Sequence, residues 1–432
     1  MARNFIEATI VDRLRITELS PKGEGIGAGE RARVFIDRAL PGDRIAAKIR
    51  RDIDGVLRGD VVEIIEASPH RVATPCPHYA ACGGCTLQHA SGAFYRDWKS
   101  GLVRDALTAK RLAPALWREP VFLPAGGRRR ITFTAEKQDG AVILGYSRRR
   151  QRQVVAIDSC LIADPAIMVL HAKLPPLLAP ILQEGKPATA FIQTIGGRFE
   201  LVITGPVGAT GRPDAAARDG MATLADALGI DRVSWRAHLG DMPEVMIART
   251  ALRARFGALE VALPPLGFLQ PTPAGEAALV AAVLAALPAS GHFADLFAGS
   301  GTFTGPMLAR GAVDAFETNA ASVGALSEAR GSLPLEAIRR DLYRAPLTRV
   351  EAARYDAVIV DPPRAGAEAQ ARELAAAAVP VLVGVSCNPA TFARDARILV
   401  DGGYSFDSVQ VIDQFTFSHH VELVAAFSKR RA

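Results

Sequence analysis

Over residues 6–66, apolar and polar positions alternate in short runs (ATIVDRLRI, ARVFID, ALPGDRIAAKIR and GDVVEIIEAS) separated by turns such as SPKGEGIGAGE. Several short period-two runs punctuated by Gly, Pro and Asp predict a small all-β barrel. Gly23, Gly25, Gly27 and Gly29 suit a flexible hairpin loop, and no helix follows them as a phosphate-cradling loop would require. Pro69 to Pro77 reads as a linker, and residues 93–111 have helical spacing. Residues 128–160 predict β-hairpins, with RRRITFTAE and AVILGYSRRRQRQVVAID joined near Asp139-Gly140. Residues 165–260 contain strands such as FELVITG and a helix near 214–229, without readable chemistry.

From about residue 262 the pattern changes to helices alternating with continuous apolar strands. A helix over 274–287 precedes the strand HFADLF and the loop AGSGTFTG. AVDAFE, a helix, DAVIVDPPR, a helix near 367–377, VLVGVS, a helix near 390–400 and C-terminal strands follow. Such alternation predicts an α/β region with a parallel, doubly wound sheet. Right-handed crossovers bring the carboxyl ends of its strands to one edge, where ligands bind. The expected division is residues 1–68, 69–260 and 261–432.

A chain of 432 residues, 49% apolar and 22% charged, can bury a sizeable core. It has no apolar stretch of membrane-spanning length, and MARNFIEATIVDRLRI does not read as a signal peptide. The expectation is a cytoplasmic protein. Charge is unevenly spread: residues 1–160 carry 27 Lys and Arg against 18 Asp and Glu, whereas residues 161–432 carry 24 against 27. A basic front half suits a polyanion such as RNA. The arginine runs 128–130 and 148–150, with Arg152, offer phosphate contacts in such a protein, although isolated charge runs are more often solvated faces.

Four of the five cysteines belong together. CPHYAACGGC sets Cys76, Cys82 and Cys85 as C-x5-C-x2-C, and Cys160 follows 75 residues after Cys85. Gly83 and Gly84 free the loop, and four thiolates suit zinc or an iron–sulfur cluster equally well by spacing. In a cytoplasmic protein such a set points to metal rather than to disulfides.

DLFAGSGTFTGPML (295–308) follows an apolar strand and opens a helix, with Gly299 and Gly301 in the tight turn. It departs from G-x-G-x-x-G because Phe303 and Thr304 delay the next glycine to 305. Glu317 ends the next strand, where a carboxylate can accept hydrogen bonds from ribose hydroxyls, and Asp341 is a further acid beyond the following element. S-adenosylmethionine fits this arrangement, and NAD stays open on the loop alone. DAVIVDPPRAG (356–366) puts Asp361 at a strand's carboxyl end, VGVSCNPATF (383–392) puts Cys387 at the same edge of the next unit, and FSHHVELVAAF (417–427) sets Glu422 among apolar neighbours. Taken singly, Cys387 reads as a core residue and Glu422 as a strand residue.

Together, DLFAGSGTF, DPPRAG, SCNPATFARD and SHHVELV, behind CGGC, resemble the bacterial RNA (uracil-C5)-methyltransferases. The resemblance is strongest to 23S ribosomal RNA members that carry a TRAM domain, an RNA-binding barrel that ALPGDRIAAKI also resembles, and a [4Fe–4S] cluster. It implies a class I, Rossmann-like methyltransferase domain, an N-terminal TRAM- or OB-like barrel and a central iron–sulfur β domain. Cys387 matches the nucleophile of the SCNP motif and Glu422 the base of H-x-V-E. Asp361 matches the acid of DPPR at the adenosylmethionine and uracil site, and Gln270, in GFLQPTP, matches the glutamine of F-x-Q; the resemblance places both with the cofactor contacts. Phe297, Glu317, Asp341 and Thr302 fall at cofactor contacts, Thr302 standing where the family often has Asn. Pro271-Thr272-Pro273 replaces the usual V-N after the glutamine. Cys76, Cys82, Cys85 and Cys160 match the cluster ligands.

The chemistry agrees with that resemblance. C5 of uracil is too poor a nucleophile to take a methyl group unaided, so a thiolate adds to C6 and a base later removes the C5 proton. RNA, most of all 23S ribosomal RNA, is the expected partner, with no membrane and no obligate protein partner implied. A tRNA substrate is the nearest alternative, although the tRNA branch usually lacks barrel and cluster. A non-catalytic RNA-binding iron–sulfur protein is the alternative outside catalysis. A DNA cytosine enzyme would present its cysteine after proline, whereas Cys387 follows Ser386.

Overall fold

The computed structural model describes residues 6–28, 33–51 and 54–429, with side chains from residue 13. Two compact units make up the chain: residues 1–102 with 146–157 and 417–419, and residues 103–145 with 158–416 and 420–432.

In the first unit, β1 (Ile6–Leu19), β2 (Gly25–Ala28), β3 (Arg33–Asp37), β4 (Arg44–Arg51) and β5 (Leu57–Glu66) close into a barrel in the order β1-β2-β3-β5-β4. Closure leaves no free sheet edge. Its interior is filled by Leu14, Ile16, Val34, Ile36, Ala39, Ile45, Ala47 and Ile49, from the alternating positions of the sequence pattern. The glycine-rich run is not the hairpin loop expected of it. Gly23, with φ of 73°, turns the chain, but Gly25 and Gly27 lie within β2. A Cβ on Gly25 would stand 2.7 Å from the Ala39 carbonyl oxygen, and one on Gly27 would stand 2.8 Å from Leu14. A barrel this small needs its backbones close, and glycine permits that. Gly29 lies outside the described residues.

Buried charges tie this unit together. Asp43 is fully buried and accepts from the amides of Leu40 (2.7 Å) and Ser68 (2.8 Å) and from Arg71 (2.5 Å). Arg150 pairs with Glu24 and Asp37, Arg149 pairs with Asp37 (3.4 Å), and Arg58 pairs with Glu24 (2.5 Å). Two of the arginines put forward as phosphate contacts therefore neutralise nearly buried acids of their own unit.

Along the rest of the chain come α1 (Gly92–Ala109), β6 (Leu116–Trp117), β7 (Val121–Phe122), β8 (Arg130–Gln138), β9 (Ala141–Ser147) and β10 (Val154–Ala156). Next are α2 (Pro165–Leu178), β11 (Pro187–Ile195), β12 (Arg198–Thr204), α3 (Ala215–Leu228), β13 (Arg232–Arg236), β14 (Glu244–Ala248), β15 (Arg253–Phe256) and β16 (Leu259–Ala262). They lead to α4 (Pro273–Ala286), β17 (Gly291–Leu296), α5 (Thr304–Met307), β18 (Gly311–Glu317), α6 (Ala320–Ala329) and β19 (Leu335–Arg339). The last elements are α7 (Arg349–Ala352), β20 (Ala357–Val360), α8 (Glu368–Ala376), β21 (Val381–Ser386), α9 (Pro389–Asp401), β22 (Ser405–Asp413) and β23 (Glu422–Ser428).

The second unit holds two large sheets. One runs β9-β8-β11-β12-β13-β14, with β8 and β9 joined at Asp139 and Gly140, both at positive φ as a tight hairpin requires. The other runs β19-β18-β17-β20-β21-β23-β22, with β6 and β7 along β22. Strands β17 to β21 are mutually parallel and β23 is antiparallel to both neighbours. Phe293, Leu296, Val313, Ala357, Ile359 and Val383 are buried, as a sheet covered on both faces demands. Side chains cap the helices that lead away from it: Thr272 accepts from Gly275 (2.9 Å), Asn319 from Ala321 (2.9 Å), and Asn388 from Ala390 (3.2 Å) ahead of Pro389. No described helix is long and apolar enough to cross a membrane.

The Asp43 anchor makes barrel stability dependent on pH. Burial raises its carboxyl, but hydrogen bonds from Arg71, Leu40 and Ser68 more than offset this and hold it below the ordinary range. A depressed acid stabilises the fold at neutral pH and loses that contribution as pH falls through its folded value. Asp43→Asn should cost about 3 kcal/mol at neutral pH by leaving Arg71 without its partner, and should flatten the acid limb of the unfolding profile. Denaturant unfolding of the full chain at neutral and acid pH checks this; unchanged stability would refute it.

Candidate active site

Parallel strands end together, so the loops after β17, β18, β20 and β21 share one rim. Phe297 follows β17, Glu317 ends β18, Asp361 follows β20 and Cys387 follows β21. Because β23 runs the other way, its first residue, Glu422, stands at the same rim. Ser386 is opposite Leu423 in the β21–β23 register, and one step further sets Cys387 beside Glu422. A cleft of about 470 Å³ results. Its walls hold every site residue expected in this unit's catalytic region: Gln270, Phe297, Thr302, Glu317, Asp341, Asp361, Cys387 and Glu422.

The thiol loop is held by its own motif. Asn388 donates from Nδ2 to the Arg364 carbonyl (2.9 Å), and Thr391 donates from Oγ1 to the same oxygen (3.2 Å). The Asn388 amide donates to Ser386 Oγ (3.1 Å). SCNPAT is thus a turn that starts α9 and fastens the Cys387 loop to the DPPR loop.

The glycine loop forms the other wall. Phe297 takes φ of 64°, Gly299 57° and Gly301 94°, a left-handed path that lets Ala298 donate to the Phe316 carbonyl (3.0 Å). Glu317 accepts from the Gly299 amide (3.0 Å) and the Asn319 amide (2.7 Å), which fixes its carboxylate at the cleft. Asp341 accepts from the Tyr343 amide (3.0 Å). The rings of Phe297 and Tyr343 lie 5.5 Å apart, an aromatic wall beside these acids. Ser300 Oγ is buried with no partner among the described residues.

Burial dominates the electrostatics. It pushes the Asp361 carboxyl up to about 7, helped by the nearby Asp295. Asp295 is itself fully buried and raised to about 7, although Thr304 Oγ1 donates to it at 2.5 Å. The Cys387 thiol is pushed up to about 11, first by burial, then by the Glu422 and Asp361 carboxylates, with Arg364 pulling it down. The resting cysteine is therefore a protonated thiol at neutral pH.

Sequence reasoning missed Asp295, Ser300, Tyr343, Arg364 and Asn388. Asp295 opens the glycine-loop motif and Arg364 closes DPPR, so their signals were present; nothing local marks Tyr343 or Ser300 as cleft residues.

The cysteine loop of the first unit is ordered by backbone turns, with Cys82 donating its amide to His78 (2.8 Å) and Gly84 donating to the Cys82 sulfur (3.3 Å). All five cysteines are free of disulfides. Among the described residues, however, no group of three or more His, Cys, Asp or Glu side chains is drawn together as a metal site. The expected iron–sulfur domain is therefore not shown by an assembled ligand set among the described residues.

The family model for tRNA (uracil-5-)-methyltransferases matches residues 279–430, which include Cys387 and Glu422. An uncharacterized RNA methyltransferase of Caulobacter vibrioides is 37% identical over 431 residues, covering 96% of this chain and 99% of that protein. The 23S rRNA (uracil(1939)-C(5))-methyltransferase RlmD of Halomonas elongata is 32% identical over 428 residues, covering 95% of this chain and 88% of that protein. In fold, the tRNA (uracil-54, C5)-methyltransferase of Pyrococcus abyssi, solved with S-adenosyl-L-homocysteine, matches with a TM-score of 0.71 at 22% identity, over 96% of this chain and 99% of that one. These likenesses define an RNA-methylating enzyme. The chain belongs to the RNA (uracil-C5)-methyltransferase family.

The raised thiol has a measurable consequence. Alkylation of Cys387 by iodoacetamide, followed by peptide mass spectrometry, should be slow at about pH 8 and still rising at about pH 10. Glu422→Gln removes the larger of the two opposing charges and should speed alkylation several-fold at fixed pH. A wild-type rate that levels off below about pH 8 would contradict the electrostatic reading.

Proposed function

We propose that this enzyme transfers a methyl group from S-adenosylmethionine to C5 of a uracil in 23S ribosomal RNA, with Cys387 as nucleophile and Glu422 as base. The observation that carries the proposal is the single cleft lined by Cys387, Glu422 and Asp361 together with Glu317, Asp341 and Phe297. The 23S substrate is supported by the Halomonas elongata relative. A tRNA substrate is the second reading, favoured by the description of the matching family.

Glu317 and Asp341 suit the polar edges of an adenosyl group, and the Phe297–Tyr343 wall suits its ring. Thr302 adds a hydroxyl to the same wall. When bound, S-adenosylmethionine supplies an electrophilic methyl group. The protein's task is to make C5 nucleophilic. The Cys387 thiol passes its proton to the Asp361 carboxylate as its sulfur bonds to C6 and the ring electrons move toward O4. Once C5 is methylated and tetrahedral, Glu422 takes its remaining proton, the C5–C6 double bond re-forms and the Cys387 thiolate leaves. Asp361, raised to about 7, stands beside the thiol and orients the ring.

The proposal extends to a cytoplasmic enzyme divided as 1–68, 69–260 and 261–432, with the barrel contributing to RNA binding. It also includes a metal centre on Cys76, Cys82, Cys85 and Cys160, taken as [4Fe–4S] from the resemblance of CPHYAACGGC to the family's ligand motif, since the spacing alone suits zinc equally. Anaerobically purified protein should then be brown with about four irons per chain; a colourless protein with one zinc would remove the cluster from the proposal.

The catalytic roles separate by mutation. Cys387→Ala should abolish both methyl transfer and any covalent RNA adduct. Glu422→Gln should allow attack and methylation but stall before the C5 proton leaves, so that methylated RNA accumulates bound to protein on a denaturing gel. Substantial activity in Cys387→Ala would return the cysteine to the core and overturn the mechanism.

A further inference from the structure

Gln270 is buried, 5% exposed, and lines the cleft, but its connections run away from the glycine loop. Its Oε1 accepts a hydrogen bond from Gln414 Nε2 (2.9 Å), and its backbone carbonyl accepts one from Arg129 (2.9 Å). Gln414 directly follows β22, at the end where Ile412 pairs with Glu422. The glutamine is therefore fastened to the corner of the cleft that holds the thiol and the base, two strands and more from Glu317 on β18.

Gln414 is itself 4% exposed and tightly seated. A Cβ at Gly275, in the first turn of α4, would collide with its Oε1 and stand 2.7 Å from its Cβ, so a glycine keeps that space open. Its Oε1 has no partner among the described residues. Turning the amide over would bury an NH₂ with two unmet donors in that spot instead of one unmet acceptor, the costlier choice. The polarity of the pair follows: Gln414 donates, Gln270 accepts, and the Nε2 of Gln270 is left to donate into the cleft.

From this geometry we infer that Gln414 is a positioning residue that fixes the amide of Gln270 with its N–H groups toward the substrate base, so that the cleft selects a ring carrying a carbonyl acceptor and rejects one carrying an amino group. Uracil presents such an acceptor at C4, and cytosine presents a donor there. This inference rests on the proposed uracil chemistry and moves Gln270 from the cofactor to the base.

The test compares methyl transfer to unmodified 23S ribosomal RNA transcribed in vitro with transfer to the same transcript bearing cytosine at the uridine that the wild-type enzyme methylates. Gln414→Met keeps the volume and removes the hydrogen bond; the uracil-to-cytosine rate ratio should fall about tenfold or more. Gln414→Glu should keep a high ratio in acid, where a protonated carboxyl donates as the amide does. The ratio should collapse as pH rises and the carboxylate can only accept, turning the Gln270 oxygen toward the base. A ratio unchanged in Gln414→Met, or independent of pH in Gln414→Glu, overturns the inference, as does a raised KM for S-adenosylmethionine with the ratio intact. Absence of wild-type methyl transfer to any uridine defeats the proposed function, and this inference with it; a normal wild-type enzyme with indifferent variants defeats only the inference.

Discussion

Everything at the candidate site depends on strands that run in the same direction. A parallel sheet must be covered on both faces, and its crossovers deliver every strand's carboxyl end to one edge. Four loops of this sheet, after β17, β18, β20 and β21, therefore open onto one cleft. The antiparallel insertion of β23 beside β21 adds what parallel strands cannot, a strand that begins at that rim and carries Glu422 to the side of Cys387. Had β23 run parallel, the carboxylate would stand at the opposite edge.

That geometry sets an electrostatic problem. The half-buried Cys387 thiol shares the cleft with the carboxyl groups of Asp361 and Glu422, and Asp361 and the fully buried Asp295 near it are both held at about 7. Such a site disfavours a resting thiolate. Cys387 is thus held as a thiol, the form that reacts slowly with oxidants and alkylating agents. Arg364, on the loop that Asn388 ties to the thiol, supplies the opposing pull.

Much of this was legible in the residues. Continuous apolar strands, caps such as Asn388-Pro389 and the order of the four C-terminal motifs announce a doubly wound sheet and the residues at its rim, because local signals and topology agree there. The barrel was legible as a barrel, yet the role of Gly25 and Gly27 was not: a strand glycine needed for close backbone approach and a loop glycine look alike in sequence. Arg129, Arg130, Arg149 and Arg150 read as a basic surface. In space Arg129 pairs with Glu276, Arg130 lies over the Phe268 ring and donates to Leu269, and the other two pair with Glu24 and Asp37. Charge runs reveal nothing of partners more than a hundred residues away. Gln414 has no motif at all; its meaning comes from a hydrogen bond spanning 144 residues. The cysteine spacing is the reverse case, a strong sequence signal without an assembled ligand set among the described residues.

The central claim is that this cleft methylates uracil C5 in the large ribosomal RNA. Mass-spectrometric mapping of 5-methyluridine in 23S RNA, from cells with and without this protein, tests it most directly. The account requires a 5-methyluridine present only when the protein is present, restored by the wild-type chain and not by Cys387→Ala. Identical maps of 23S RNA in both strains, with the loss found in tRNA or nowhere, would contradict it.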